Sequence, residues 1–272
     1  MTRGAKGTAI LVARARTSAV AVIVVTVSLA VATSASALTQ VSAPVEQSGE
    51  IYVGEANCPS GRNAVSGGFA GPDQVAVSVN RRAGRDSWLV EAGEAGVTAY
   101  AYCSRRLSPS VKSRGGRIHL ATDEMGGATA RCERGATAIA GGWSFTSVYS
   151  NQTAFTSYGA GGRAWRVFGG SGESARITAY AYCLRSDRIE ARTRTGESIG
   201  AGASDGVTTN CRTGEELLGG GFMTQPAPDW DNATGPDLFF NESRREGARA
   251  WTSTAHNYSA VAGRIKLAVL CR

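Results

Sequence analysis

Residues 58–69 read CPSGRNAVSGGF, and the chain repeats this stretch twice more, as CERGATAIAGGW at 132–143 and as CRTGEELLGGGF at 211–222. Each copy opens on a cysteine and reaches a glycine pair followed by an aromatic: Phe69, Trp143 or Phe222, at one offset. A tryptophan follows in each, Trp88 in DSWLVEA, Trp165 in RAWRVFG and Trp251 in RAWTSTA. Each copy then closes on a second cysteine, in VTAYAYC at Cys103, ITAYAYC at Cys183 and IKLAVLC at Cys271. The opening cysteines are 74 and 79 residues apart, and self-similarity at such a period marks a repeat architecture. The copies extend over about 45–106, 117–186 and 198–272.

The local texture is β. VTAYAYC and QVAVSVN alternate or carry β-branched residues between turn residues, and no long 3.6-residue period with caps occurs after the first 37 residues. Four or five short strands per copy predict 12 to 15 strands in all. The polar spacers SRRLSPSVKSRGG and LRSDRIEARTRTG read as junction loops. A glycine pair inside a strand permits a bulge or a close backbone approach, and the aromatic after it is expected to cover the space left. The expectation is an all-β, disulfide-stapled fold of three internal repeats, prism-like or otherwise closed. A single domain over 38–272 is favoured over three beads, because a 70-odd-residue copy hides limited surface alone.

Composition narrows the class. With 42% hydrophobic residues the chain has material for a core, and 35 glycines without a G-X-Y period exclude collagen. Residues 1–18 are polar and basic, Ala19 to Ala32 is an apolar run, and Ala35-Ser36-Ala37 supplies small residues for a signal peptidase. Fourteen helical residues at about 1.5 Å each span roughly 21 Å, short of a ~30 Å hydrocarbon core, so 1–37 reads as a cleaved export signal. The expected product is secreted, with no membrane contact after cleavage. Loss of Arg3, Lys6, Arg14 and Arg16 lowers the formal charge from +7 to +3, too little to indicate a nucleic-acid partner.

Six cysteines in an exported chain point to disulfides, and no C-x-x-C pair suggests a metal or redox centre. Threefold regularity leaves two pairings. Within copies they would be Cys58–Cys103, Cys132–Cys183 and Cys211–Cys271. Between copies they would be Cys103–Cys132 and Cys183–Cys211, with Cys58–Cys271 closing the set. The between-copy spacings of 29 and 28 are more regular, but a copy that closes on itself needs no neighbour, so the first pairing is preferred.

Taken together, the pattern C-(P)-x-G…GG-[FW]…W…AYAxC resembles repeats of secreted proteins from high-GC bacteria over residues 58–271. That resemblance identifies a repeat unit and implies no activity. By repeat number alone the chain is also similar to the pseudo-threefold β-prisms of jacalin-like lectins and vitelline membrane outer layer proteins. Copy three departs from the pattern: Ala268 and Leu270 stand where the other copies have Tyr100 and Tyr102, or Tyr180 and Tyr182. A site built from those tyrosines would be missing there.

Catalytic motifs are few. Gly202-Ala203-Ser204-Asp205-Gly206 matches G-x-S-x-G but lacks a strand-turn-helix context, and His119 and His256 are the only two histidines. Asp123-Glu124 and Glu215-Glu216 read as solvated surface. No Walker A loop, H-E-x-x-H or G-x-G-x-x-G occurs, so no metal and no cofactor is expected. The three repeated tryptophans read as core anchors rather than sugar-stacking rings. Trp230 has no counterpart; with Asp229, Asp231, Asn232 and Asp237 it forms the one candidate ligand loop, suited to a sugar or calcium but without the D-x-D-x-D-G spacing of an EF-hand. The expected function is non-catalytic binding of a glycan or cell-envelope polymer. The alternatives are a secreted hydrolase using carboxylates, and a protein-binding inhibitor or envelope structural protein.

Overall fold

The two hallmark stretches of each copy fold as neighbouring antiparallel strands. The computed structural model describes residues 38–112, 116–146, 152–160, 162–185, 188–226 and 236–272, so the export signal expected over 1–37 lies outside the described residues. Around copy one run β1 (Thr39–Pro44), β2 (Glu46–Ser48), β3 (Ile51–Asn57), β4 (Asn63–Ala70), β5 (Val77–Arg82), β6 (Ser87–Ala92) and β7 (Thr98–Ser104). Then come β8 (Ser110–Lys112), β9 (Arg117–Leu120), β10 (Glu124–Arg131), β11 (Thr137–Phe145), β12 (Gln152–Gly159), β13 (Ala164–Ser171) and β14 (Ala175–Leu184). The last group is β15 (Glu190–Thr195), β16 (Ser204–Asn210), β17 (Leu217–Gln225), β18 (Leu238–Glu246), β19 (Ala250–Asn257) and β20 (Arg264–Cys271).

These strands form three antiparallel sheets, and the described residues contain no helix. One sheet runs β1-β7-β4-β18-β19-β16, another β10-β13-β12-β17-β20-β15, and the largest β2-β3-β6-β5-β11-β14-β8 with β9 also on β14. Each sheet therefore joins two copies. Copy one meets copy two where β5 pairs β11, copy two meets copy three where β12 pairs β17, and β18 of copy three returns to β4 of copy one. Within each copy the glycine-pair strand lies on the closing strand (β4·β7, β11·β14, β17·β20), with a register shift at Ala64/Ser66, Ala138/Ala140 and Leu217/Gly219.

The glycine pairs serve those junctions. A methyl group on Gly68, Gly142 or Gly221 would fall onto the carbonyl oxygen of Ser243, Asn80 or Ser157, each on the strand of the adjoining copy. The preceding glycines, Gly67, Gly141 and Gly220, lie under the rings of Trp88, Trp165 and Trp251 of their own copy. Those tryptophans, not the aromatics next in sequence, cover the glycines. The next aromatics meet one another instead: Trp143 sits edge-on to both Phe69 and Phe222, with centroids 5.9 Å apart in each case. All three repeated tryptophans are buried, and each indole N–H is satisfied on the adjacent strand, by Asn80 Oδ1, Ser157 Oγ or Ser243 Oγ. Burial of this kind, with the polar handle paired, makes a tryptophan a core anchor.

Disulfides join Cys58–Cys103, Cys132–Cys183 and Cys211–Cys271, each with Cα atoms 5.7 Å apart. This is the within-copy pairing, and the between-copy alternative is set aside. Two expectations need correction. The described residues hold 20 strands, more than the 12 to 15 expected. Part of the excess is β8 and β15, which lie in the spacers read as loops. β15 pairs β20 over six residues although almost every side chain on it is exposed. An edge strand needs only one hydrogen-bonded neighbour and tolerates charge on its open side, so it carries no hydrophobic alternation to read.

Candidate functional site

The site is found by following one position around the three sheets. Tyr102, Tyr182 and Leu270 each precede a closing cysteine. Arg82, Gly159 and Arg245 each stand two residues beyond the side chain that accepts the indole hydrogen bond. In two sheets these positions form a plug. The Arg82 main-chain N–H donates to Tyr182 Oη at 2.7 Å, and the Arg245 N–H donates to Tyr102 Oη at 2.7 Å. Each tyrosine ring lies edge-on to a repeated tryptophan, Trp88–Tyr182 at 5.2 Å and Trp251–Tyr102 at 5.5 Å. The Arg82 guanidinium lies over the Tyr182 ring at 5.6 Å and donates to the Gly84 and Pro109 carbonyls. The Arg245 guanidinium donates to the carbonyls of Leu38, Gly247 and Ala248.

Burial has the electrostatic consequence expected of it. It lowers both guanidinium pKa values and raises both phenols well above their ordinary range, because the charged form is disfavoured in each case. The sign for stability follows. An unfolded tyrosine ionises near pH 10, while Tyr102 and Tyr182 hold their protons to higher pH in the fold. Above about pH 10 the unfolded chain therefore binds fewer protons than the folded one, and stability falls as pH rises. Urea midpoints measured from pH 8 upward are expected to drop past about pH 10. The double variant Tyr102→Phe/Tyr182→Phe should show a shallower drop and start about 1–3 kcal/mol lower for each main-chain N–H left without an acceptor.

The third sheet has no plug. Leu270 replaces the tyrosine, Ala268 replaces Tyr100 or Tyr180, and Gly159 replaces the arginine. A cavity of about 150 Å³ remains. Buried Trp165, Leu270 and Gly221 form its floor, and Tyr158, Met223, Lys266 and Ala268 its half-buried walls. It opens beside Ala191 and Thr193, exposed residues of β15 that lie opposite Leu270 and Ala268 in the sheet register. A Cβ on Gly159 would have only ordinary contacts, 3.7 Å to Trp165 and 3.8 Å to Leu270, so its missing side chain is real space. The cavity can hold a small apolar group against an indole, with one ammonium, Lys266, in its wall.

The expected ligand loop is only partly in view. Asp229, Trp230, Asp231 and Asn232 lie outside the described residues. Asp237 is half-buried; its main-chain N–H donates to Ser259 Oγ and its carbonyl accepts from the Tyr258 N–H. Desolvation raises its carboxyl pKa, and Oδ1 is buried without a hydrogen-bond partner among the described residues.

Ser204 lies on β16 opposite His256 on β19, with Oγ 2.9 Å from His256 Nδ1 and 3.2 Å from Asp73 Oδ2. In a serine triad the carboxylate holds the far nitrogen of the imidazole. Here His256 and Asp73 converge on one hydroxyl, which has a single proton, and Asp73 is also held by Asn241 Nδ2 at 2.9 Å. The arrangement is therefore not that of a serine triad. Cys211, Glu215 and Cys271 also cluster, but the sulfurs are bonded to each other and Arg192 takes the carboxylate.

The sequence shows that copy three lacks the tyrosines, so that a site built from them would be missing there; in the fold the same departure leaves a cavity. Tyr158, Gly159 and Lys266 were not singled out, and the signal available was the same departure from AYAYC. Asp73 was missed because only the fold brings it to Ser204, 131 residues away. No protein-family model and no curated protein matches the chain.

Proposed function

We propose that the chain is an exported, non-catalytic binding protein whose three copies form a pseudo-threefold, prism-like arrangement with one position left open as the binding site. Strand pairing from copy one to two, two to three and three to one supports the threefold reading. Three disulfides suit an oxidising compartment outside the cytoplasm. No helix among the described residues is long and apolar enough to cross a membrane. Cleavage after Ala37 would keep every described strand, with Leu38 buried and its carbonyl bonded to Arg245.

The observation that carries the functional reading is the cavity above Trp165. A preformed, mostly apolar hollow with few polar groups is the usual form of a small-ligand site. A glycan or cell-envelope polymer would engage it through an apolar substituent rather than a bare sugar ring. The test is ligand-observed NMR with a panel of small apolar compounds, single-ring and short-chain. We expect saturation transfer to at least one compound, abolished in Ala191→Trp, which blocks the mouth from an exposed edge strand. Absence of binding, or binding that survives Ala191→Trp, would overturn the reading.

A further inference from the structure

The cavity's two counterparts show what it is shaped to hold. In each of them a phenol ring of the chain itself fills the space. Its edge meets a repeated tryptophan and its hydroxyl accepts a main-chain N–H at 2.7 Å; over Tyr182 the Arg82 guanidinium also stands at the ring face. Outside those plugs, Arg81 and Arg244 lie over the rings of Tyr180 and Tyr100 at 5.6 and 5.7 Å, so aromatic faces beside cations recur.

In the third sheet the tryptophan is kept and the phenol is gone. Trp165 occupies the place of Trp88 and Trp251, and Gly159 stands where Arg82 and Arg245 present their N–H. The arginine cation is lost with Gly159, but Lys266 brings another: it replaces Thr98 and Thr178 and lines the cavity. A cation near an aromatic face is attractive, and more so where water is excluded; an aliphatic ring gains nothing from it. The volume, about 150 Å³, is that of an apolar cavity known to accept a single benzene-sized ring.

We infer that the cavity takes one phenolic ring from outside the chain, seated as Tyr102 and Tyr182 are seated in the other two sheets. The ring edge packs on Trp165, the hydroxyl accepts the Gly159 N–H, and Lys266 faces the ring. The proposal rests on the cavity being the binding site and adds the ligand's chemistry. The ring has two sources: a free phenol, or the tyrosyl side chain of a peptide.

The experiment uses the oxidised protein without its first 37 residues and reads tryptophan fluorescence and calorimetry. The probes are p-cresol, which is the tyrosine side chain as a molecule, toluene, 4-methylcyclohexanol and N-acetyltyrosinamide. We expect p-cresol to bind, toluene to bind roughly three- to tenfold more weakly for want of the hydroxyl, and 4-methylcyclohexanol to be weakened by a similar factor for want of the ring. N-acetyltyrosinamide binding comparably to p-cresol would assign a peptide tyrosine as the source; p-cresol alone would assign a free phenol.

Leu270→Tyr rebuilds the internal plug and should abolish p-cresol binding. Gly159→Ala, which meets only ordinary contacts, should fold normally and weaken binding severalfold. If 4-methylcyclohexanol binds as well as p-cresol and Ala191→Trp blocks both, the phenol inference falls and the site stands. If no probe binds the folded protein, both fall.

Discussion

Gly142→Ala is expected to destabilise the protein by more than about 3 kcal/mol, among the largest losses available to the addition of one methyl group. The new Cβ would fall on the Asn80 carbonyl and beside Arg81 Cα, main-chain atoms of β5 that cannot rotate away. Relief requires β5 and β11 to separate, and that pairing is where copy one meets copy two in the largest sheet. Gly68→Ala and Gly221→Ala should behave alike, since they meet Ser243 and Ser157 carbonyls at the other two junctions. The control is Gly135→Ala, in the Cys-x-x-Gly turn of the same copy. Gly135 has φ +79° with open space around its Cβ, so that change costs only the left-handed backbone penalty, about 1–2 kcal/mol. Urea titration compares the four variants directly. A Gly142→Ala protein no weaker than Gly135→Ala would mean that β11 does not approach β5 this closely.

The contrast between those glycines also shows what was legible in the chain. The opening and closing stretches announced themselves as strands, and of the two expectations for the glycine pairs it is the close backbone approach that they serve, with a register shift just ahead of each pair. The regularity of the cysteines left two pairings open, and the one formed is the within-copy set, preferred because a copy that closes on itself needs no neighbour. Strand order was not legible. Alternation marks a strand and its buried face but carries no information on its partner, and Gly221 is placed by Ser157, far away in the chain. Polar edges were hidden for a related reason: Glu190–Thr195 forms β15 because β20 offers it hydrogen bonds, not because its side chains favour burial. The cavity required both facts at once. Leu270 and Gly159 are unremarkable residues separately, and they define a void only because β12, β17 and β20 are adjacent.

Full reduction of the three disulfides under otherwise native conditions is expected to unfold the protein. The bonds close loops of 45, 51 and 60 residues, and the chain-entropy model assigns about 4 kcal/mol to each at these lengths. Three such terms are comparable with the whole net stability of an ordinary domain, roughly 5–15 kcal/mol. Removing one pair, as Cys132→Ser/Cys183→Ser, should cost about 2–5 kcal/mol and leave a folded protein. The manner of its unfolding is the sharper test. The covalent ties lie within copies, whereas the junctions between copies are held by strand pairing and by the Phe69, Trp143 and Phe222 rings. If those junctions carry the cooperativity, copy two cannot melt alone, because β5 and β17 would lose their partners β11 and β12 with it. Calorimetry and near-ultraviolet dichroism of the Cys132→Ser/Cys183→Ser protein should then give one coincident transition at a lowered temperature. Melting in two steps, with copy two first, would instead mean that the remaining copies hold without it, and the sheets shared between copies could not be what makes the three copies one folding unit.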